Sequence, residues 1–218
     1  MPQAGCRATV PAGRQKTESI KDMGKIFYII GPSASGKDSL ARALLAAYPE
    51  KLKPVIMSTT RPIRSGEIEG EEYHFISRRT FEKLEKAGKV IEARTYQTVH
   101  GPWTYATVDD GSLDLTDQSY LAVGTLESYQ KTAEYFGSEQ VVPLYIELDK
   151  GLRLSRALKR ERSQKEPKYA EMCRRFLADE QDFSDEKVEA CHFPRVYVNN
   201  DFQSCLEAMK ETVEKGLL

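Results

Sequence analysis

Residues 31–39 read Gly-Pro-Ser-Ala-Ser-Gly-Lys-Asp-Ser, and this stretch decides the fold. Gly31, four residues and then Gly36-Lys37 stand between an apolar run at 26–30, which predicts a strand, and a helical pattern at 39–48. Small residues let successive backbone N–H groups turn inward around phosphate oxygens. The start of the following helix adds partial positive charge, and Lys37 adds a full one. The spacing therefore predicts a nucleotide kinase or hydrolase in which Gly31, Pro32, Ser33, Ala34, Ser35, Gly36, Lys37, Asp38 and Ser39 hold the phosphates of ATP. One position is unusual: Asp38 stands where the pattern has a Ser or Thr hydroxyl that ligates Mg²⁺.

Outward from this loop, strand patterns at 52–57, 120–123, 141–148 and 195–199 alternate with helical patterns at 126–136, 152–162, 169–183 and 202–215. Such alternation predicts an α/β fold, a mostly parallel sheet flanked by helices. Between the second and third strands the character changes. Segments 73–76 and 90–96 read as antiparallel strands around a short helix at 81–87, which predicts an inserted α+β lobe spanning about 59–108. Residues 159–168, Lys-Arg-Glu-Arg-Ser-Gln-Lys-Glu-Pro-Lys, followed by Arg174-Arg175, read either as a solvated helix surface or as a helical flap, about 159–175, that folds over a polyanion. Pro167 would separate its two helices, and the phosphate loop favours the flap.

With 218 residues the chain is long enough for one substantial core, and 32 basic against 33 acidic residues leave no global field that would favour nucleic acid or an anionic membrane. Its four cysteines lack any C-x-x-C pair and its three histidines are far apart in sequence. Zinc and a disulfide framework are therefore disfavoured, and a reducing, cytoplasmic compartment is the simpler expectation. No apolar run reaches the roughly 18 residues that a membrane span needs. Residues 1–22 are polar and basic and read as a disordered extension, with Met23 a candidate start and a targeting peptide the rival reading.

The second informative stretch is 58–75, Ser-Thr-Thr-Arg-Pro-Ile-Arg-Ser-Gly-Glu-Ile-Glu-Gly-Glu-Glu-Tyr-His-Phe. Arg61, Arg64 and Tyr73 are the parts a phosphomonoester clamp needs: guanidinium forks for bidentate contact and a phenol as a further donor. This T-T-R-P-x-R-x-G-E string resembles the nucleoside monophosphate site of guanylate kinases, and the resemblance extends over 25–218. It implies a P-loop nucleoside monophosphate kinase fold and Mg²⁺-dependent phosphoryl transfer from ATP to GMP. By the same resemblance Glu92 pairs with the guanine N1 and N2 hydrogens, and Ser58, Tyr105, Thr107 and Thr125 belong to the GMP site. Arg175, with Arg160 or Arg162, would supply the lid arginines, and Asn199 would lie beside the adenine of ATP. A monomer or homodimer is expected.

Some positions depart from the family pattern. Met57 stands where the family has a serine that helps to read the guanine carbonyl, and the third strand ends Val123-Gly124-Thr125 without the family's acidic pair. The expectation is that Asp38, a hard oxygen donor, holds Mg²⁺ in their stead. The loop ending Gly-Lys-Asp-Ser also resembles ribose 1,5-bisphosphate phosphokinase, whose acceptor is a sugar phosphate. A non-catalytic phosphopeptide-binding module and a GTP-hydrolysing switch are the remaining alternatives; the intact phosphate loop opposes the first, and the lack of an N-K-x-D signature the second. Trp103 is expected in the core, and His74 and His100 in structural or exposed places.

Overall fold

A computed structural model describes residues 23–64, 66–98 and 101–217, so the extension expected at 1–22 and the expectation for His100 lie outside the described residues. In chain order the elements are β1 (Ile26–Ile30), α1 (Lys37–Ala47), β2 (Leu52–Pro54), β3 (Ser58–Thr59), β4 (His74–Phe75), α2 (Arg78–Lys86), β5 (Val90–Thr98) and β6 (Gly101–Val108). They continue with β7 (Ser119–Gly124), α3 (Leu126–Phe136), β8 (Val141–Glu147), α4 (Lys150–Arg162), α5 (Tyr169–Asp182), α6 (Asp185–Glu189), β9 (Val196–Val198) and α7 (Phe202–Gly216).

The main sheet runs β2-β7-β1-β8-β9, and each of its pairings is parallel. β1 lies at its centre and every one of its residues is buried. A strand covered on both faces needs no polar alternation, so its sequence reads as a continuous apolar run. Phe27 and Ile29 point to one side, where they pack with Leu40, Leu44, Met209 and Val213 of α1 and α7. Ile26, Tyr28 and Ile30 point to the other, against Leu126 of α3, with Tyr145 of β8 and Phe183 and Phe193 beyond. The strand order reverses between β7 and β8, on either side of β1. A parallel sheet places its ligand crevice at such a switch, beyond the carboxyl ends of the strands, and there the chain leaves β1 into residues 31–36.

The inserted segment forms a second sheet, β4-β3-β6-β5, backed by α2 through Phe81, Ala106 and Val108. The strand expected at 52–57 is shorter than expected, and the chain enters the second sheet just beyond it. β2 ends at Pro54, while Ser58–Thr59 pairs antiparallel with β6 and parallel with β4. β6 had no counterpart among the expected strands, nor had the short helix α6. β6 pairs with the whole of β5, with a register shift between Val90 and Glu92. α4 and α5 are separated at 163–168, which contains Pro167. The break is held by the buried carboxylate of Glu161, which accepts from the Lys168 backbone N–H and from Gln164 Nε2 at 3.2 Å.

Candidate active site

The loop after β1 is shaped by what lies behind it. Gly36 adopts φ +95°, and a Cβ there would stand 2.3 Å from Asn199 Nδ2, so both conformation and space require glycine. Asn199 Nδ2 donates to Ser35 O at 2.6 Å, tying the loop to the end of β9. Asn199, which sequence resemblance places beside the adenine of ATP, is thereby also a buried support of the loop. Ala34 also has positive φ, 64°, a conformation that costs a residue with a Cβ about 1 kcal/mol.

Lys37 opens α1, and its Nζ donates to Pro32 O at 3.4 Å. Burial pushes the ammonium below its ordinary 10.5, with Asp38 and Asp179 opposing the shift. Asp179, on α5, also accepts from the Ser33 N–H at 2.9 Å, so a carboxylate occupies one of the donors that an incoming phosphate would use.

A cavity of about 1240 Å³ lies between the two sheets and α5. Gly31, Ser33, Lys37 and Asp38 line one end, Arg64, Tyr73, Tyr105, Thr107 and Thr125 the acceptor side, and Arg174 and Arg175 the α5 wall. A smaller cavity of about 150 Å³ on the other side of the loop is lined by Ala34, Gly36, Lys37, Asp38, Ser39, Arg156 and Arg160. Arg162 is exposed and lines neither cavity, so of the two candidates on α4 only Arg160 approaches the phosphate loop. Arg156 was missed by sequence reading; it donates to Asn199 O at 3.0 Å and closes the same wall.

Arg61 and Arg64 have different surroundings. Arg61 is 3% exposed, and its terminal nitrogens bond both Glu67 carboxylate oxygens, at 3.0 and 2.8 Å, and Pro62 O at 2.9 Å. Its guanidinium lies 5.5 Å from the Tyr73 ring centre and 5.4 Å from that of Phe75. Glu67 in turn accepts from the Arg64 backbone N–H at 2.8 Å, which fixes the turn and leaves the Arg64 side chain on the cavity. Arg61 therefore positions the clamp and does not line the cavity. Ser58 is likewise buried in β3, opposite Ala106 and His74.

Glu92 is more deeply covered than the sequence suggested. Its side chain is 1% exposed, with Oε1 accepting from Thr107 Oγ1 at 3.0 Å and Oε2 lying 3.4 Å from Arg94 Nε. Thr107 and Arg94 line the cavity and Glu92 does not. Trp103 is only half-buried and lines the cavity, contrary to its expected place in the core. His74, by contrast, has the structural place expected, with Nδ1 3.1 Å from Glu69.

The family model described as "Guanylate kinase" matches residues 23–216. The chain belongs to the guanylate kinase family. It is similar to a guanylate kinase of Trichormus variabilis, 28% identical over 195 residues that cover 89% of this chain and 92% of that protein. It is also similar to guanylate kinases of Chromobacterium violaceum, 39% identical over 93 residues, and of a Nostoc species, 36% identical over 104 residues. Those two matches cover 41% and 48% of this chain, and within them it spans 44% and 50% of the relatives' own lengths. In fold it resembles the crystal structure of a guanylate kinase from Anaplasma phagocytophilum, with a TM-score of 0.58 and 24% identity over 90% of this chain and 88% of that one.

Within this family fold, the end of the third core strand has an internal reason to lack an acid. A Cβ on Gly124 would lie 2.4 Å from both Tyr28 Oη and Ser128 Oγ, so the space of a side chain is already filled. Burial pushes the Tyr28 phenol up to about 12, which keeps it neutral. Thr125 caps α3 by a reciprocal box with Ser128 and keeps a face on the cavity. Tyr28, Arg94 and Asp179 are among the cavity residues that sequence reading passed over. For Arg94 a signal existed: it stands two residues from Glu92 on one strand, and a period of two puts both on one face.

Among the described residues no group of three or more His, Cys, Asp or Glu gathers as a metal site. Mg²⁺ does not need one, because it keeps waters and substrate phosphates and takes one or two carboxylates. The donor set here fits that pattern: Asp38 is an exposed carboxylate at the start of α1, lining both cavities beside Lys37. No helix among the described residues is long and apolar enough to cross a membrane.

Proposed function

We propose that this protein transfers the γ-phosphoryl group of ATP to GMP, giving ADP and GDP. The observation that carries this reading is that the phosphate loop at 31–39 and the acceptor stretch containing Arg64 and Tyr73 face one cavity. Family membership supports the same chemistry. The lobe of about 59–108 would hold the acceptor, and about 159–175 would be the lid, contributing Arg160 and Arg175.

The acceptor is already an anionic phosphate, so the reaction needs positioning and charge neutralisation rather than a strong base. An oxygen of the GMP phosphate attacks the γ phosphorus as the bond to the ADP oxygen breaks. Arg64, Tyr73 and Tyr105 orient the attacking phosphate, while Lys37 and the loop N–H groups hold the phosphates of the donor. Ser33 N–H becomes available when a phosphate displaces Asp179. Arg160 lines the smaller cavity and Arg175 the larger, both on the helices bordering the break at 163–168, and closure of this lid would bring them to the reacting groups. Mg²⁺ bound with ATP would neutralise charge on the donor phosphates, and Asp38 is the residue that would hold it. The three free cysteines among the described residues fit a reducing cytoplasm, and a monomer or homodimer would suffice for this site.

The test is ADP release from ATP with GMP, dGMP, AMP, UMP or ribose 1,5-bisphosphate as acceptor. Turnover with GMP well above the others is the expected result. Activity confined to the sugar phosphate would replace this reading with the phosphokinase alternative, and no activity with any acceptor would return the fold to a binding role.

A further inference from the structure

Arg94 is a cationic side chain of the acceptor lobe that lines the cavity and is not used by the clamp. It sits on β5 opposite Tyr105 of β6 and is 22% exposed along its side chain. Its Nε is buried without a hydrogen-bond partner, 3.4 Å from Glu92 Oε2. No described residue accepts a hydrogen bond from its terminal nitrogens. The cavity that Arg94 lines also presents the aromatic rings of Tyr28, Tyr96, Trp103 and Tyr105 and the apolar side chains of Val55 and Met57, among polar residues. Such a wall suits a flat ring and not a sugar phosphate alone.

Resting on the reading of a nucleotide acceptor, we propose that Arg94 determines base specificity by donating to the 6-oxo group of the acceptor purine. A guanidinium carries five N–H donors and no acceptor. It can engage a carbonyl oxygen but opposes the exocyclic amine that adenine carries at the same position. The alternative use of a free arginine is to bind a second phosphate, and here the charge argues against it. Glu92, itself covered by Thr107 and Arg94, neutralises the guanidinium, so the pair presents a donor of little net charge, suited to a neutral carbonyl. The position also explains two departures of this chain. Met57 has no hydroxyl to donate to the carbonyl, and Gly124 leaves no acid that would compete for Arg94.

The experiment compares four acceptors in the natural protein and in Arg94→Ala and Arg94→Lys: GMP, IMP, 2-aminopurine riboside 5′-monophosphate, which lacks the 6-oxo group, and ribose 1,5-bisphosphate. The expected result in the natural protein is a kcat/KM for GMP and IMP at least tenfold above that for the 2-aminopurine nucleotide. In Arg94→Ala the advantage should fall to within about threefold, and Arg94→Lys should keep part of it. Because the readout is a ratio within one preparation, partial misfolding cancels. An unchanged ratio in Arg94→Ala, with GMP still a substrate, would overturn the proposal while leaving the kinase reading intact. Failure of the natural protein to phosphorylate any nucleotide would overturn both. Selective loss of activity with ribose 1,5-bisphosphate in Arg94→Ala would assign Arg94 to a second phosphate and also overturn it.

Discussion

The phosphate loop and the acceptor lobe face the same cavity but are stabilised differently. The loop is built from contiguous residues, and its donors are backbone N–H groups whose direction follows from chain conformation at Ala34 and Gly36. The lobe is built from charges that are mostly paired with each other: Arg61 with Glu67, and Arg94 with Glu92. A main-chain cradle can be read from a short motif because each residue brings its own donor. A side-chain site cannot, because only the partners decide which charges are structural and which remain for substrate.

The largest test of this contrast is on the loop. Lys37→Ala should lower kcat with GMP by roughly a hundred- to a thousand-fold, as for other charge-stabilising groups at a reacting centre. Circular dichroism should show the fold unchanged, and undiminished ADP release would remove the loop from the chemistry. The two arginines of the lobe should separate next. Arg61→Ala removes a buried guanidinium and its bidentate, part-buried pair with Glu67, and should lower the midpoint of a urea titration. Arg64→Ala should leave the urea midpoint in place and raise KM for GMP roughly tenfold, the usual weight of one hydrogen bond to a charged group. Equal effects of both changes on KM would show that Arg61 also reaches substrate.

A smaller effect concerns pH. Lys37 is held below 10.5 by burial, so the charged form that catalysis uses is lost as pH rises through that lowered value. The alkaline limb of kcat/KM should therefore fall earlier than for an ordinary lysine. Stability responds with the opposite sign, because the unfolded chain binds this proton more tightly and the contribution of Lys37 grows with pH up to 10.5. A pH–rate profile with its descending limb at or above 10.5 would contradict this. The smallest effect is expected at Ala34, where Ala34→Gly relieves positive φ and should stabilise the protein by about 0.5 kcal/mol net of the added chain entropy, read as a raised thermal midpoint.

The central strand of the main sheet was legible because burial on both faces leaves an uninterrupted apolar run at 26–30, and 141–146 comes close to one before the exposed Glu147. The helices at 126–136 and 202–216 begin at Thr125 and Asp201, whose side chains accept from backbone N–H groups of the first turn, a signal that sequence reading did not use. The lobe was harder. The strand expected at 52–57 stops at Pro54, and the unexpected strand at Ser58–Thr59 pairs with residues 105–106, which no local pattern connects. β6 alternates buried and exposed positions only loosely, since one of its faces borders a cavity lined by Trp103 and Tyr105. In the site, Asn199 was visible as a residue, but its bond to Ser35 O spans 164 positions of sequence.

The sequence by itself determined that residues 31–39 carry a phosphate-loop pattern and that the chain belongs with guanylate kinases, because a contiguous motif and a continuous string of clamp residues carry both. Only the tertiary structure decided that Arg61 and Glu92 are internal supports, that Arg160 rather than Arg162 nears the loop, and that Arg94 is left facing the cavity. The physical reason is pairing. A charged side chain has several possible partners in sequence, and the fold selects one by bringing its opposite charge within 3–4 Å, as at Arg61–Glu67 and Arg94–Glu92.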